Sequence, residues 1–464
     1  MNKKILLSAG GVVALLIACY AGATAWSGKQ AEARHHEYLS RIQREAPFLR
    51  VVGQGYQHGF FTATSTTTFE IGCAPAAGRP APTVVITSTV HHGPFAEGTV
   101  AAAVVETQVT LGGAEGARLV APFGGPPISA RTVVGFGGNA TSTVKSGAAK
   151  IPLPDGVELV WQGLGGTVES GAGTTTFAYH LTSPGLAIAD PAHGLSARMA
   201  GLDVQSTGAF IGGASRLSTG KAQGTAQTVE LIAAMPLPSG GTKAVKVSMT
   251  GLRFDSDASI SGDLMTLVSG FGGAALVDGV RIDRFDLRAS MKRLHAPTYE
   301  RIMGSLANAA PGCAPAGKEP TPAMLMESLD ADLMALARFD PEVALDKLTI
   351  DHAGGHGEFS YSFGLSGVTA ADAELPRLAL LTTRGHAKAS MRVPMAWLRK
   401  LSQESATRLE GRVPPPAALD AFIDQAVGDG YLVRDGDDVR SSIDFSAGNL
   451  TVNGKVLSGE GKRP

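Results

Sequence analysis

From residue 51 onward the chain alternates apolar and polar positions with a period of two, in stretches rich in Thr and Val. Successive side chains of a strand point to opposite faces, so this alternation predicts strands with one packed face. Such stretches run over Thr62–Ile71, Thr83–Val90, Val100–Leu111, Val157–Trp161 and Thr174–Leu181, and again over Thr225–Ile232, Lys243–Phe254 and Val280–Leu294. Gly, Pro and Asp clusters separate them, and no helical crossover of adequate length lies between most neighbours. Parallel sheets need such crossovers, so the pattern predicts an antiparallel meander. The Gly/Pro-rich segment Gly112–Gly138 reads as a loop at the sheet edge.

Helical periodicity appears later. Helices are expected over Thr298–Ala309, over Met324–Phe339 with Leu325, Leu329, Leu333 and Leu336 as one apolar stripe, and from Met395 to Leu409 and Ala417 to Val427, the last two behind prolines. Between them Ala344–Asp351, Glu358–Leu365 and Ala387–Val393 read as strands. Tyr431–Arg434, Val439–Phe445 and Asn449–Val456 follow, with tight turns at Asp435-Gly436-Asp437 and Ala447-Gly448-Asn449.

The first 26 residues break the pattern. Lys3 and Lys4 precede an uncharged run, Ile5–Trp26, about 33 Å long as a helix and so sufficient for a hydrocarbon core of about 30 Å. It reads first as an uncleaved anchor with the bulk of the chain outside the inner membrane. A signal cut near Ala21-Gly22-Ala23, or a lipoprotein signal at Leu16-Ile17-Ala18-Cys19, are the competing readings. The organisation expected is therefore an anchor (1–26), a charged stalk helix (27–50), a β-rich region (51–295) and an α+β region (296–464). The fold class is mainly β with helices (α+β): a transmembrane helix, then a large, curved antiparallel sheet with several helices packed on it.

Composition narrows the function. Lys+Arg 40 against Asp+Glu 41 gives a net charge of -1, without the basic excess that nucleic-acid binding requires. Hydrophobic content of 44% with 17% charged residues excludes a disordered chain. With Cys19 set aside, Cys73 and Cys313 remain, each inside a Gly-Cys-Ala-Pro-Ala string. In an oxidising compartment they are expected to form a disulfide, closing a loop of about 240 residues worth roughly 5 kcal/mol of chain entropy.

No motif assembles chemistry. Gly135–Ala140 fits a dinucleotide fingerprint in letters, but Thr-Ser-Thr-Val follows where a helix would have to open, so it reads as a turn. His352 and His356 are separated by Ala-Gly-Gly, a hairpin turn rather than a helical turn. His91 and His92 are adjacent on a strand and point apart. His35-His36 belongs to the stalk. Asp429–Asp438 lacks the ligand alternation of a calcium loop. With no nucleophile, base and orienting group in view, no enzyme, metal site or cofactor is expected.

Several short strings occur in a telling order: Gly28–Glu32, Tyr56–Thr64, His92–Phe95, Phe339-Asp340-Pro341, Gly357-Glu358, Ala389–Pro394, Gly430-Tyr431, Ile443–Phe445 and Gly448–Lys455. In that order the chain resembles the YdgA-like family of bacterial membrane-anchored proteins of unknown function. His58 stands where that family usually carries an arginine, and the cysteine pair is not a family trait. The resemblance implies an inner-membrane-tethered periplasmic protein with a large antiparallel sheet and no catalytic residues. Gly59, Phe60, His92, Gly93 and Pro94 would be structural members of its motifs. Two functions are compatible with these residues. One is a non-enzymatic protein binding a lipid or other amphiphile along a groove of its sheet. The other is a periplasmic scaffold or envelope-integrity protein working through protein contacts, including those of a homodimer.

Overall fold

The period-two stretches become strands, and every strand pairing whose register is resolved is antiparallel. The computed structural model describes residues 49–59, 61–71, 83–93, 95–212, 215, 217–236, 241–308, 321–400, 402 and 416–457. The chain divides into two compact units, one comprising residues 1–190, 200–222 and 300–329, the other residues 191–199, 223–299 and 330–464.

The first unit carries β1 (Leu49–His58), β2 (Thr62–Ile71), β3 (Thr83–His92), the short pair β4 (Phe95–Ala96) and β5 (Thr99–Val100), β6 (Ala103–Gly112), β7 (Ile128–Val134), β8 (Ala140–Ser146), β9 (Ala149–Pro152), β10 (Glu158–Trp161), β11 (Leu164–Ser170) and β12 (Thr176–Asp190). Neighbours in the sheet run β1–β2–β3–β6–β7–β8. Next to β8 lie β11 and then β12, while β9 pairs β10 and β10 pairs the second half of β12. Thus β8 with β9, and β10 with β11, act as two long strands, interrupted at 147–148 and 162–163. At Gly163, φ is +100° and a Cβ would lie 2.9 Å from the Ser146 carbonyl oxygen, so glycine is required at the interruption.

One face of this sheet is tightly buried and made mostly of small residues, with Phe69 and Ile86 among them. Ala63, Val90, Ala103, Val105, Val134 and Ala140 form its centre with Tyr56 packed against them. Hydroxyls share that face and satisfy one another across strands: Ser88 with Thr107 at 3.0 Å and Thr132 with Ser142 at 2.8 Å.

Two long strands, β13 (Leu195–Phe210) and β14 (Ser218–Pro236), follow. The second unit then carries β15 (Thr242–Ser261), β16 (Leu264–Val277), β17 (Val280–His295), β18 (Glu342–His352), β19 (Gly355–Leu365), β20 (Gly385–Pro394), β21 (Val433–Asp435), β22 (Asp438–Ser446), β23 (Asn449–Val452) and β24 (Lys455–Val456). They form a meander β15–β16–β17–β18–β19–β20–β22, with β21 and β23 sharing the far side of β22. Register shifts near Thr250 and Gly251 (φ +58°) let β15 continue for 20 residues.

Among the described residues, helices with defined bounds are α1 (Gly113–Val120), α2 (Ala296–Asn308), α3 (Pro322–Ala337), α4 (Arg377–Arg384) and α5 (Pro416–Gly428), and residues 395–400 are helical as well, where a helix was expected from Met395. In the second unit they close two small cores. Met334, Ala337, Val368 and Leu380 form one with Leu365, and Met395, Ile423, Leu432 and Val439 form the other with Met391 and Val393.

Four expectations are corrected. A fold led by a transmembrane helix is not supported: among the described residues a large antiparallel sheet dominates and no helix is long and apolar enough to cross a membrane. The expected span, residues 5–26, lies outside the described residues, as do 27–48 of the stalk, whose last two residues, Leu49 and Arg50, are strand. Segment 112–138 is not a loop, because it holds α1 and β7. On α3, Leu333 faces outward and Met334 and Ala337 are buried instead.

Candidate ligand-binding face

The two faces of the second unit's sheet differ in kind. Odd-numbered positions of β19 put Phe359, Tyr361, Phe363 and Leu365 on one side, and cross-strand register extends each into an apolar row. One row is Met291–Val343–Phe363–Ala387–Phe445–Leu450, the next Leu345–Tyr361–Ala389–Ile443–Val452, and the third Phe271–Leu287–Leu348–Phe359–Met391. The two helical cores sit at the margins of these rows, one holding Leu365 and the other Met391 and Val393. Between them the rows stay open. Phe359 is 38% exposed, Tyr361 43%, Phe363 40% and Ile443 42%. Leaving roughly 80 Å² of a ring in water forgoes about 2 kcal/mol of burial, so four such side chains on one face are a substantial unfilled surface.

The opposite face is polar and ion-paired. Arg392 donates to Asp438 at 2.7 Å, Lys292 to Glu342 at 2.9 Å, and Lys388 lies 3.5 Å from Asp444. Hydrogen bonding to Asp438 raises the pKa of Arg392, and hydrogen bonding to Glu342 raises that of Lys292. Glycines make room for this lattice: a Cβ at Gly270 would lie 2.3 Å from Asp255 Oδ1, and at Gly272 2.5 Å from Asp286 Oδ1. That accounts for Gly272 in the Phe-Gly-Gly step at 271–273, with the ring on the apolar side, while a Cβ at Gly273 would lie 2.9 Å from the Leu252 side chain. Two hollows of about 660 Å³ and 440 Å³ lie on this polar face, floored by Ser360, Ser390 and Ser442. Ser360 and Ser390 bond each other at 2.8 Å, and Glu342, Lys388 and Arg392 of the lining are ion-paired.

Of the individually predicted residues, some lie among the described ones. Gly93 donates its N–H to the Ala102 carbonyl at 2.8 Å, and a Cβ there would lie 2.0 Å from the Ala101 oxygen. A Cβ on Gly59 would meet the Thr62 oxygen at 2.6 Å. The His92 ring lies 6.0 Å from that of His58. Phe60, Pro94, Cys73, Cys313 and His35-His36 lie outside the described residues. Gly135–Ala140 is the turn from β7 to β8, closed by Gly135 N–H donating to the Asn139 carbonyl at 2.8 Å. His352 and His356 flank the β18–β19 turn and part company. His352 is buried, donating Nδ1–H to the Arg281 carbonyl at 2.6 Å with Trp397 edge-on at 5.9 Å. His356 is exposed between Asp351 (2.5 Å) and Glu358 (3.2 Å), whose hydrogen bonds raise its pKa. Among the described residues no group of three or more His, Cys, Asp or Glu is placed to hold a metal ion.

Residues of the resembling strings that had no assigned role form a clasp. Asp340, at φ +52°, accepts from Gly367 N–H at 2.7 Å and from Arg293 at 3.1 Å, and Phe339 stacks on His295 at 4.0 Å. The α4 segment and the long strands β13 and β16 escaped sequence reading; β16 has the Leu-Met-Thr-Leu-Val run and glycines of a strand but no alternation.

Fold and site together define an antiparallel β-sheet protein whose second unit has one open apolar face and one ion-paired polar face. The chain belongs to a bacterial family of proteins of unknown function, DUF945, whose model matches residues 1–460. No curated protein and no solved structure matches it.

Proposed function

We infer that this protein binds a lipid or other amphiphile without catalysing a reaction, on the apolar face of β18, β19, β20 and β22. The observation that carries the reading is the group Phe359, Tyr361, Phe363 and Ile443, each about 40% exposed on otherwise continuous apolar rows. An alkyl chain laid across these rings would recover the burial that the fold forgoes, and its polar head would remain at the wet margin. Kinship with YdgA-like envelope proteins belongs to this reading, and so does an envelope address reached by acylation at Cys19. So does the pairing of Cys73 with Cys313, which counting free thiols in the unreduced, unfolded protein checks.

Titration with a dansylated undecanoic acid tests the site. Saturable fluorescence enhancement is expected, weakened at least tenfold in Phe363→Asp and Tyr361→Asp, which alter exposed rings. Absence of saturable binding by the parent protein, together with lipid-free organic extracts of gently purified material, would sink the reading.

A further inference from the structure

Among the apolar rows of the second unit, one strand interrupts the run of large side chains. β20 lies between β19 and β22, and its apolar side carries Ala387 and Ala389, both half-buried. Register sets Phe363 and Phe445 on either side of Ala387, and Tyr361 and Ile443 on either side of Ala389. Two residues further on, Met391 fills the same line opposite Phe359. Large, small, large across three neighbouring strands, repeated at two successive levels, leaves a slot along β20. Its floor is two alanine methyls, and its walls are rings and an isoleucine. The wall strands stand about 10 Å apart, so the gap between them is about one strand wide.

Helical segments bound the slot at both ends. A Cβ on Gly385, pointing to the apolar side like those of Ala387 and Ala389, would run into the Leu381 carbonyl oxygen, so the last turn of α4 rests on that end. At the other end Met391 packs against the core of Met395, Ile423 and Leu432. A Cβ on Gly355 would lie 3.1 Å from the Pro394 ring and 3.3 Å from the Trp397 side chain, which places the helical residues 395–400 over the same side. From Gly385 to Met391 the floor runs about 20 Å.

We propose that this slot takes one unbranched alkyl chain, so that the ligand is a single-tailed amphiphile such as a fatty acid. The inference rests on the amphiphile reading above and narrows it. A single alkyl chain matches the gap in width and lies lengthwise on the alanines, with both walls at a contact distance of about 4 Å. A fused-ring amphiphile is too broad to reach the floor and would perch on the ring edges. Two chains side by side meet the same obstacle. A peptide fares worse. β20 is an interior strand whose N–H and C=O groups are taken by β19 and β22, so a bound backbone would set its own polar groups on an apolar floor without partners.

Displacement of the dansylated undecanoic acid from the full chain tests the proposal, with dodecanoate as the straight chain and cholate as a fused-ring carboxylate of the same charge. Dodecanoate is expected to displace the probe at concentrations at least tenfold lower than cholate. Ala387→Phe and Ala389→Phe fill the floor and should each weaken probe binding at least tenfold. A ring suits a half-buried strand position between large neighbours, so their denaturant midpoints should be unchanged or raised. Lys388→Ala, between them on the opposite face, should bind the probe as the parent does. Equal displacement by cholate overturns the proposal, and this comparison uses the parent protein alone, so it decides even where a variant unfolds. Undiminished probe binding in both alanine variants, or an equal loss in Lys388→Ala, also overturns it. Each of these results leaves the broader amphiphile reading standing, whereas absence of probe binding by the parent sinks both.

Discussion

The first unit's sheet and the second unit's sheet are built on the same antiparallel plan but spend their apolar residues differently. In the first, the packed face holds mainly Ala, Val, Ser and Thr beside Phe69 and Ile86, with Val90, Val105 and Val144 fully buried, and large exposed rings appear on the turns at one end. In the second, rings and long aliphatics occupy the sheet face itself and remain partly in water. Small side chains allow close approach and complete burial. Large ones, left without a covering layer, leave surface for something else. The difference teaches that burial, more than sequence hydrophobicity, separates scaffold from candidate site.

Breaking the tight region should cost most. Gly93→Ala drives a Cβ into the Ala101 carbonyl and is expected to destabilise the fold by about 3 kcal/mol. In the second unit Gly357→Ala, with nothing nearer than 3.8 Å, should be neutral or slightly stabilising. Denaturant midpoints of the pair read this directly. Val105→Ala, at a fully buried site, should cost about 2 kcal/mol. Phe363→Ala, although it removes far more atoms, should cost less than its size suggests and show its main effect in dansyl-acid affinity. If Phe363→Ala destabilises as much as a core phenylalanine, by about 3–5 kcal/mol, the two sheets do not differ as described.

Acid sharpens the contrast within the second unit. Asp372 is buried, and hydrogen bonds from the Thr369 N–H and hydroxyl, then Arg384, lower its pKa. The stability it contributes is present above about pH 4 and lost as pH falls through the depressed value. Asp372→Asn should flatten that part of the stability–pH curve. His356 behaves oppositely and weakly. Its raised pKa means a contribution fully present below about pH 6.5 that fades as pH rises through the folded-state value. Being exposed, it is worth no more than about 0.5 kcal/mol, and NMR titration of the ring in the parent and in Glu358→Gln measures it.

Much of the sheet was legible because alternation survives wherever one face packs. β2, β3 and β6 show it, and the hairpin at 352–355 was announced by Ala-Gly-Gly. The second unit's rows were less legible. Phe363, Ala387 and Phe445 lie far apart in sequence, and only register brings them side by side. Nor does a strand pattern reveal that none of the described residues covers the face. The β16 strand was hidden by glycines that make room for neighbouring carboxylates, as Gly270 does for Asp255, and β13 by glycines such as Gly208, which makes room for the Phe177 ring. Segment 112–138 was misread because glycine and proline outnumber the few alternating positions of β7. On α3, a leucine count favoured Leu333, whereas Met334 is nearer the packed side.

The paired interruptions at 147–148 and 162–163 have a bearing on how this lineage can change. Elsewhere in a strand an added residue turns every following side chain over. Here two adjoining strands already suspend their ladder at the same level, so a residue gained or lost is absorbed locally. Length variation should therefore collect at that level, with the buried hydroxyl ladder beside it left in frame.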